Sequence, residues 1–120
     1  MATTELTAEN FDSVVEGDGL VLLDFWAAWC GPCQMFGPVF ERVSERHPDV
    51  VFGKVDTEAE PALAGEFGIS SIPTLVIIRD EVILYDQPGS LPEEALEQLI
   101  SQARGLDMDA VRASPEDGQV

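Results

Sequence analysis

The chain alternates between short apolar runs and longer segments in which apolar residues recur at helical spacing. The apolar runs cover residues 20–27, 50–55, 75–78 and 82–85, and residues 3–6 form a weaker candidate. Runs of this length, bounded by turn residues, are typical of buried β-strands and are too short to cross a membrane. The pattern therefore predicts strands at these positions, with residues 3–6 at a sheet edge.

The segments between these runs carry the start and stop signals of helices. The predicted helices cover residues 7–16, 30–46 (or 31–46), 61–67 and a last segment that opens near residue 90. Thr7 is the expected N-cap of the first helix, and Pro38 should bend the second because it removes a backbone hydrogen bond. Ser90 and Glu93 have the spacing of a capping box at the start of the last helix.

The order of these elements predicts an α/β fold. Strands alternate with helices in the first half, which favours parallel strands joined by crossover helices. Arg79 and Asp80 leave only a tight connection between the last two strands, which predicts an antiparallel hairpin. Because the runs at 20–27 and 50–55 are apolar almost throughout, helices should cover both faces of a central mixed sheet.

The chain carries a large net negative charge, which excludes some classes of binding partner. The 120 residues include 23 acidic and 6 basic side chains, which gives a net charge of −17. Nucleic acids and anionic membrane surfaces are poor partners for such a field, so neither is expected to bind. With no signal peptide and no apolar run long enough to span a bilayer, we expect a cytoplasmic protein.

The C-terminal stretch differs from the rest of the chain. Apolar periodicity is lost after Leu106, and the end is acidic, polar and rich in turn residues. The sequence therefore predicts one domain over residues 1–104 and a disordered extension over 105–120, in which residues 107–112 could add one helical turn.

Two cysteines flank a tight turn between a predicted strand and a predicted helix. Gly31 permits the close bend, and Pro32 suits the first helical turn, where a missing N–H costs little. The unpaired N–H groups and the dipole of the helix favour a thiolate at Cys30, which is then the expected attacking sulfur. Cys33 lies one turn further along and is suited to resolve a mixed disulfide.

These cysteines could also be core residues, a structural disulfide or part of a metal site. Zinc usually takes four ligands, and the chain offers only Cys30, Cys33 and His47 as cysteine or histidine ligands, so no metal is expected without a second chain. His47 is instead expected to face solvent or the end of a helix. A Cys-x-x-Cys pair beside a strand–helix unit favours redox chemistry.

Over residues 3–104 the chain resembles the thioredoxin family. The resemblance rests on the run Trp-Ala-Ala-Trp-Cys-Gly-Pro-Cys at residues 26–33, on Asp24 and Lys54, on Ile-Pro-Thr at residues 72–74, and on Gly89. It implies the thioredoxin fold, with a mixed five-stranded sheet flanked by four helices. Departures are Ser70 and Ser71 before the Ile-Pro pair and a hairpin connection without glycine.

The resemblance also implies roles for individual residues. Asp24 would be the buried carboxylate beneath the resolving Cys33, and Lys54 its partner. Pro73 would be a cis-proline against the disulfide. The client-binding rim would comprise Trp29, Gly31, Pro32, Ile72, Pro73 and Gly89. Trp26 is expected to serve packing.

The activity implied is reduction of disulfides in client proteins by a monomeric thioredoxin. In this family a flavin-dependent thioredoxin reductase restores the dithiol with electrons from NADPH. No dinucleotide-binding or P-loop motif is present, so the chain itself is expected to bind no cofactor. The alternatives are a disulfide oxidase or isomerase on the same fold, or a binding module whose thiols are incidental. The uncharged Gly31 and Pro32 favour the reductive direction.

Overall fold

The structure is a computed structural model that describes residues 2–113. Its strands are β1 (Thr3–Glu5), β2 (Leu20–Trp26), β3 (Val51–Asp56), β4 (Thr74–Arg79) and β5 (Val82–Pro88). Its helices are α1 (Phe11–Val15), α2 (Gly31–Ser44), α3 (Pro61–Glu66), α4 (Glu93–Gly105) and α5 (Met108–Ala113). No helix within the described residues is both long and apolar enough to cross a membrane.

The strands form one mixed sheet in the order β1-β3-β2-β4-β5. Strands β1, β3 and β2 are parallel, β4 pairs antiparallel with β2, and β5 pairs antiparallel with β4. The predicted parallel first half and the antiparallel hairpin are both confirmed. In this register Asp24 of β2 lies directly beside Lys54 of β3.

Helices cover both faces of the sheet, as the apolar strands predicted. Leu20 and Leu22 of β2 belong to a core cluster that includes residues of α2 and α4. The alternating residues Val21, Leu23 and Phe25 belong to a second core cluster on the opposite face of the sheet, which includes residues of α1 and α3. The period of two along an extended strand thus places consecutive apolar residues in two separate cores.

The hairpin between β4 and β5 needs no glycine because two carboxylates hold its turn. Asp80 and Glu81 have φ angles of 52° and 68°, in the left-handed region that side chains rarely adopt. Asp80 Oδ1 accepts a hydrogen bond from the Gly19 N–H at 2.8 Å, and Glu81 Oε2 accepts one from Gly17 at 2.8 Å. The turn is therefore fastened to the loop that precedes β2.

The first and the last predicted helices start later than expected. Helix α1 begins at Phe11 with Asn10 as its N-cap, and the Thr7 hydroxyl accepts the N–H groups of Glu9 and Asn10, both at 3.3 Å, in the turn before the helix. The N-cap of α4 is Pro92, and no side chain caps it. A proline disfavours helical geometry in the residue before it, so the helix cannot extend back to Ser90.

Within residues 2–113 the structure has five helices rather than the predicted four, and the fifth lies where the sequence allowed one helical turn within the predicted extension. Gly105 ends α4, and α5 follows with Met108 buried. Arg79 Nη1 donates to the carbonyl oxygens of Ala103 and Leu106, both at 2.8 Å, which fixes the end of α4. The rest of the predicted extension, residues 114–120, lies outside the described residues.

A group of charged residues joins α4 to the end of α2. Arg46 pairs with Glu93 and Glu97. His47 Nε2 lies 2.7 Å from Glu97 Oε1, and His47 Nδ1 lies 2.9 Å from an Arg104 nitrogen. His47 therefore binds α4 as part of this network and is far from the predicted redox turn.

Candidate active site

The two cysteines lie where β2 passes into α2. Cys30 is the N-cap of α2, and Gly31 and Pro32 form its first turn. Cys30 and Cys33 form a disulfide with their Cα atoms 5.2 Å apart. The Cys33 N–H donates to Cys30 Sγ at 3.2 Å, so a helix N-terminal N–H group points at this sulfur. Both residues are largely buried.

A second segment approaches the disulfide from the start of β4. The Ile72–Pro73 peptide bond is cis, as expected. The carbonyl oxygen of Ile72 lies 3.7 Å from Cys30 Sγ. The Gly89 N–H donates to the Pro73 carbonyl oxygen at 2.8 Å, which brings the end of β5 to the same place. Three distant parts of the sequence thus converge on the disulfide.

Buried Asp24 of β2 pairs with partly exposed Lys54 of β3. Lys54 Nζ donates to Asp24 Oδ2 at 2.9 Å, while Asp24 Oδ1 has no hydrogen-bond partner among the described residues. Asp24 is 1% exposed, and burial raises its pKa above the ordinary value, an effect that the charge of Lys54 partly opposes. Lys54 Nζ also lies 5.4 Å from the ring centroid of Trp26, a cation–π contact.

One cavity is lined by both Lys54 and the redox helix. Trp26, Cys33, Gly37, Pro38 and Lys54 are among the residues that line it. Cys33 therefore faces the same space as Lys54, the hydrogen-bond partner of Asp24. Pro38 lies within α2, as the sequence predicted.

Trp29 is the most prominent side chain at the mouth of the site, with 69% of its surface exposed. Its indole N–H donates to Glu58 Oε2 at 3.2 Å. Gln34 Nε2 donates to the Ala28 carbonyl oxygen at 2.9 Å and holds the same loop. Sequence analysis missed both Glu58 and Gln34. The available signal for Glu58 was its place just after β3, because the ends of parallel neighbouring strands meet at one edge of a sheet.

Within residues 2–113, no group of three or more His, Cys, Asp and Glu side chains is arranged to hold a metal ion. The chemistry available at this site is that of the two sulfurs. A disulfide that closes across a helix N-terminus can accept electrons from, or as a dithiol donate them to, another thiol–disulfide pair.

Comparison with known proteins gives the same chemistry. A family model described as Thioredoxin matches residues 2–102. The chain is 60% identical over 118 residues to the putative thioredoxin 2 of Streptomyces coelicolor, covering 98% of this chain and 88% of that protein. It is 44% identical over 97 residues to the thioredoxin of Alicyclobacillus acidocaldarius, covering 80% and 92%.

Solved structures share the fold. A mutant thioredoxin from Halobacterium salinarum superposes with a TM-score of 0.80 at 35% identity, covering 88% of this chain and 93% of that one. Malassezia sympodialis thioredoxin superposes with a TM-score of 0.75 at 36% identity, covering 83% and 89%. With the family match across the sheet and a redox-active disulfide at Cys30 and Cys33, the chain belongs to the thioredoxin family of dithiol–disulfide oxidoreductases.

Proposed function

We propose that Cys30 is the attacking sulfur and Cys33 the resolving sulfur when this protein reduces disulfides of client proteins. The observation that carries this assignment is the Cys33 N–H, which donates to Cys30 Sγ at the first turn of α2. In the dithiol form the same N–H and the helix dipole stabilise negative charge on Cys30. Within residues 2–113, no N–H group donates to Cys33 Sγ.

The reaction proceeds by two thiol–disulfide exchanges. The Cys30 thiolate attacks one client sulfur, which breaks the client disulfide and releases the other client sulfur as a thiolate that takes a proton. Cys33 then loses its proton and attacks Cys30 Sγ, which releases the second client thiolate. Two electrons pass to the client, and this protein is left with the Cys30–Cys33 disulfide.

Asp24 is proposed to accept the proton that Cys33 loses in the second exchange. Its support is the raised pKa of Asp24 and the cavity shared by Cys33 and Lys54. A carboxyl whose pKa lies nearer neutrality than usual is a more effective proton acceptor and donor at neutral pH. Lys54 would tune this group, since its charge lowers the pKa of Asp24.

The client is proposed to bind across the rim around the disulfide. The rim comprises Trp29, Gly31, Pro32, Ile72, Pro73 and Gly89. The exposure of Trp29, the approach of the Ile72 carbonyl to Cys30 and the hydrogen bond between Gly89 and Pro73 support this assignment. An extended client segment could contact this rim with its disulfide next to Cys30.

The electrons for the next cycle would come from another protein. A thioredoxin reductase that draws electrons from NADPH would restore the dithiol, and this protein would bind no cofactor of its own. It would act as a monomer in the cytoplasm. Residues 1–104 would carry the chemistry, and residues 105–113 would add to the stability of the fold.

A trapping experiment tests the assignment of the two cysteines. Reduced Cys33→Ser should accumulate a mixed disulfide with a disulfide-containing client, because Cys30 can attack but nothing releases it. Cys30→Ser should trap little, and insulin reduction should be lost in both variants. Equal trapping by the two variants would overturn the assignment, and insulin reduction by the Cys30→Ser, Cys33→Ser double variant would show that these thiols are incidental.

A further inference from the structure

The basic side chains are distributed very unevenly between the two ends of the molecule. All five arginines lie at the end of the molecule remote from the disulfide. Some stand at the far ends of elements that start near the disulfide, and the others pair with residues at that remote end. The five arginines are Arg42, Arg46, Arg79, Arg104 and Arg112. Helix α2 starts at the disulfide and has 14 residues, so its far end is about 21 Å away.

The contacts of these arginines confirm where they lie. Arg104 pairs with Asp49, which precedes β3, and Arg112 donates to the Asp80 carbonyl in the β4–β5 turn. Both positions are opposite the disulfide, because β2 ends at the redox loop and its parallel neighbour β3 starts at the other end. The remaining basic side chain, Lys54, is directed inward to Asp24.

Carboxylates, by contrast, stand directly at the redox end. Glu58 is exposed and accepts the indole N–H of Trp29 at 3.2 Å. Asp56 Oδ1 accepts the Glu58 N–H at 2.9 Å, and the Thr57 N–H donates to the Trp26 carbonyl at 2.9 Å. The loop that carries Glu58 is thereby fastened to the end of β2, and its carboxylate is held beside the rim.

We propose that Glu58 selects client segments that carry lysine or arginine next to the disulfide. This deepens the reductase function and rests on the proposed role of Trp29 in the client-binding rim. Trp29 uses Glu58 Oε2, and the second oxygen can accept a client ammonium or guanidinium group. The surrounding negative field steers such a client toward the disulfide and repels acidic ones.

The test uses the dithiol form of the full chain and three disulfide peptides that are identical except for two flanking residues. The flanks are two lysines, two serines or two glutamates, and the second-order rate constant of reduction is measured for each at low salt. We expect the rate constants to fall from the lysine to the serine to the glutamate peptide. The differences should shrink at high ionic strength, because salt screens exposed charges.

Glu58→Gln removes the charge but keeps an oxygen that can accept the Trp29 indole. We expect it to lower the rate constant for the lysine peptide about two- to fivefold relative to that for the serine peptide, the scale of one exposed ion pair. Glu16→Gln is the matched control, because it removes one exposed negative charge beside the Gly17 loop at the opposite end. It should leave the ratio between peptides as in the unmodified protein.

Each other outcome has a distinct meaning. Equal reduction of all three peptides would overturn the proposal while leaving the reductase function intact. Failure to reduce any peptide would count against the reductase function itself. A lysine preference that persists in Glu58→Gln would refute the assignment to Glu58. A loss of rate on all peptides alike would indicate altered thiol reactivity rather than client selection.

Discussion

At the residue scale, Asp24 shows how a strand can hold a buried carboxyl at a cost in stability. The side chain is 1% exposed, and only one of its two oxygens has a hydrogen-bond partner. Burial raises its pKa in the folded state, so the folded protein binds more protons than the unfolded chain between the ordinary value of 3.8 and the raised one. The free energy of unfolding therefore decreases as the pH rises through that window.

This linkage predicts that Asp24→Asn is more stable than the unmodified protein at pH 7. The expected gain is about 1.4 kcal/mol for each pH unit by which burial raises the pKa of Asp24. Lys54 can be solvated without its partner, because 25% of its side chain is exposed. The gain in the free energy of unfolding should become smaller as the pH falls toward the pKa of an ordinary aspartate, because Asp24 then becomes neutral as well. Urea unfolding of the oxidised proteins at several pH values measures it. Asp86→Asn, at an exposed position, should stay within about 0.5 kcal/mol of the unmodified protein.

The same pair predicts a shift in the titration of Asp24. Lys54 lowers the pKa of Asp24 through its charge and its hydrogen bond, against the larger effect of burial. Lys54→Met should therefore raise the pKa of Asp24 further, which NMR titration of the carboxyl resonance would measure in the oxidised protein. An unchanged titration would mean that Lys54 does not influence this carboxyl.

At the element scale, one arginine links the sheet to the last two helices. Arg79 ends β4 and donates to three carbonyl groups at the end of α4, where the backbone has unpaired acceptors. Asp107 Oδ1 then accepts the Asp109 N–H at 3.0 Å, which starts α5 and places Met108 against the body. The short helix is therefore part of the folded unit.

Met108→Ala should lower the free energy of unfolding by about 2 kcal/mol, the lower end of the cost of removing a buried methionine side chain. Leu106→Ala is the control, because Leu106 is 40% exposed and should cost clearly less. Chemical denaturation of the two variants would measure the difference. If Met108→Ala proved as mild as the control, α5 would not contribute to the folded core.

At the scale of the whole molecule, the net charge and the residues of the redox turn both favour a more negative reduction potential. Gly31 and Pro32 offer no charge and no side-chain donor to stabilise a Cys30 thiolate, and a net charge of −17 disfavours further negative charge. A less stable thiolate makes the reduced form less stable and the protein a better reductant.

The reduction potential should therefore lie on the reducing side of about −230 mV, the reducing end of the glutaredoxin range. Thioredoxin is the reference for this chemistry, at about −270 mV. Equilibration with dithiothreitol or glutathione mixtures would measure the potential. Pro32→His should move it to less negative values, and an unmodified protein near −150 mV would instead fit a disulfide oxidase or isomerase.

Local patterns in the sequence determined most of the fold and the centre of the site. Apolar runs located β2 through β5 because a strand buried on both faces must be apolar at nearly every position. The Cys-Gly-Pro-Cys turn identified the redox pair because its chemistry depends on residues that are neighbours in the chain. Resemblance to a family supplied the places of Asp24, Lys54 and Pro73.

Tertiary structure alone decided the features that join distant parts of the chain. Glu58 reaches Trp29 only because β2 and β3 end at the same edge of the sheet. Arg79 fixes α4, and through it α5, from the other end of the sheet, so a segment without apolar periodicity still folds. The spacing of hydrophobic residues and the residues of a turn can be read from neighbouring positions in the chain. These contacts instead depend on the register of the strands and on the packing of the helices against the sheet, which no local pattern specifies.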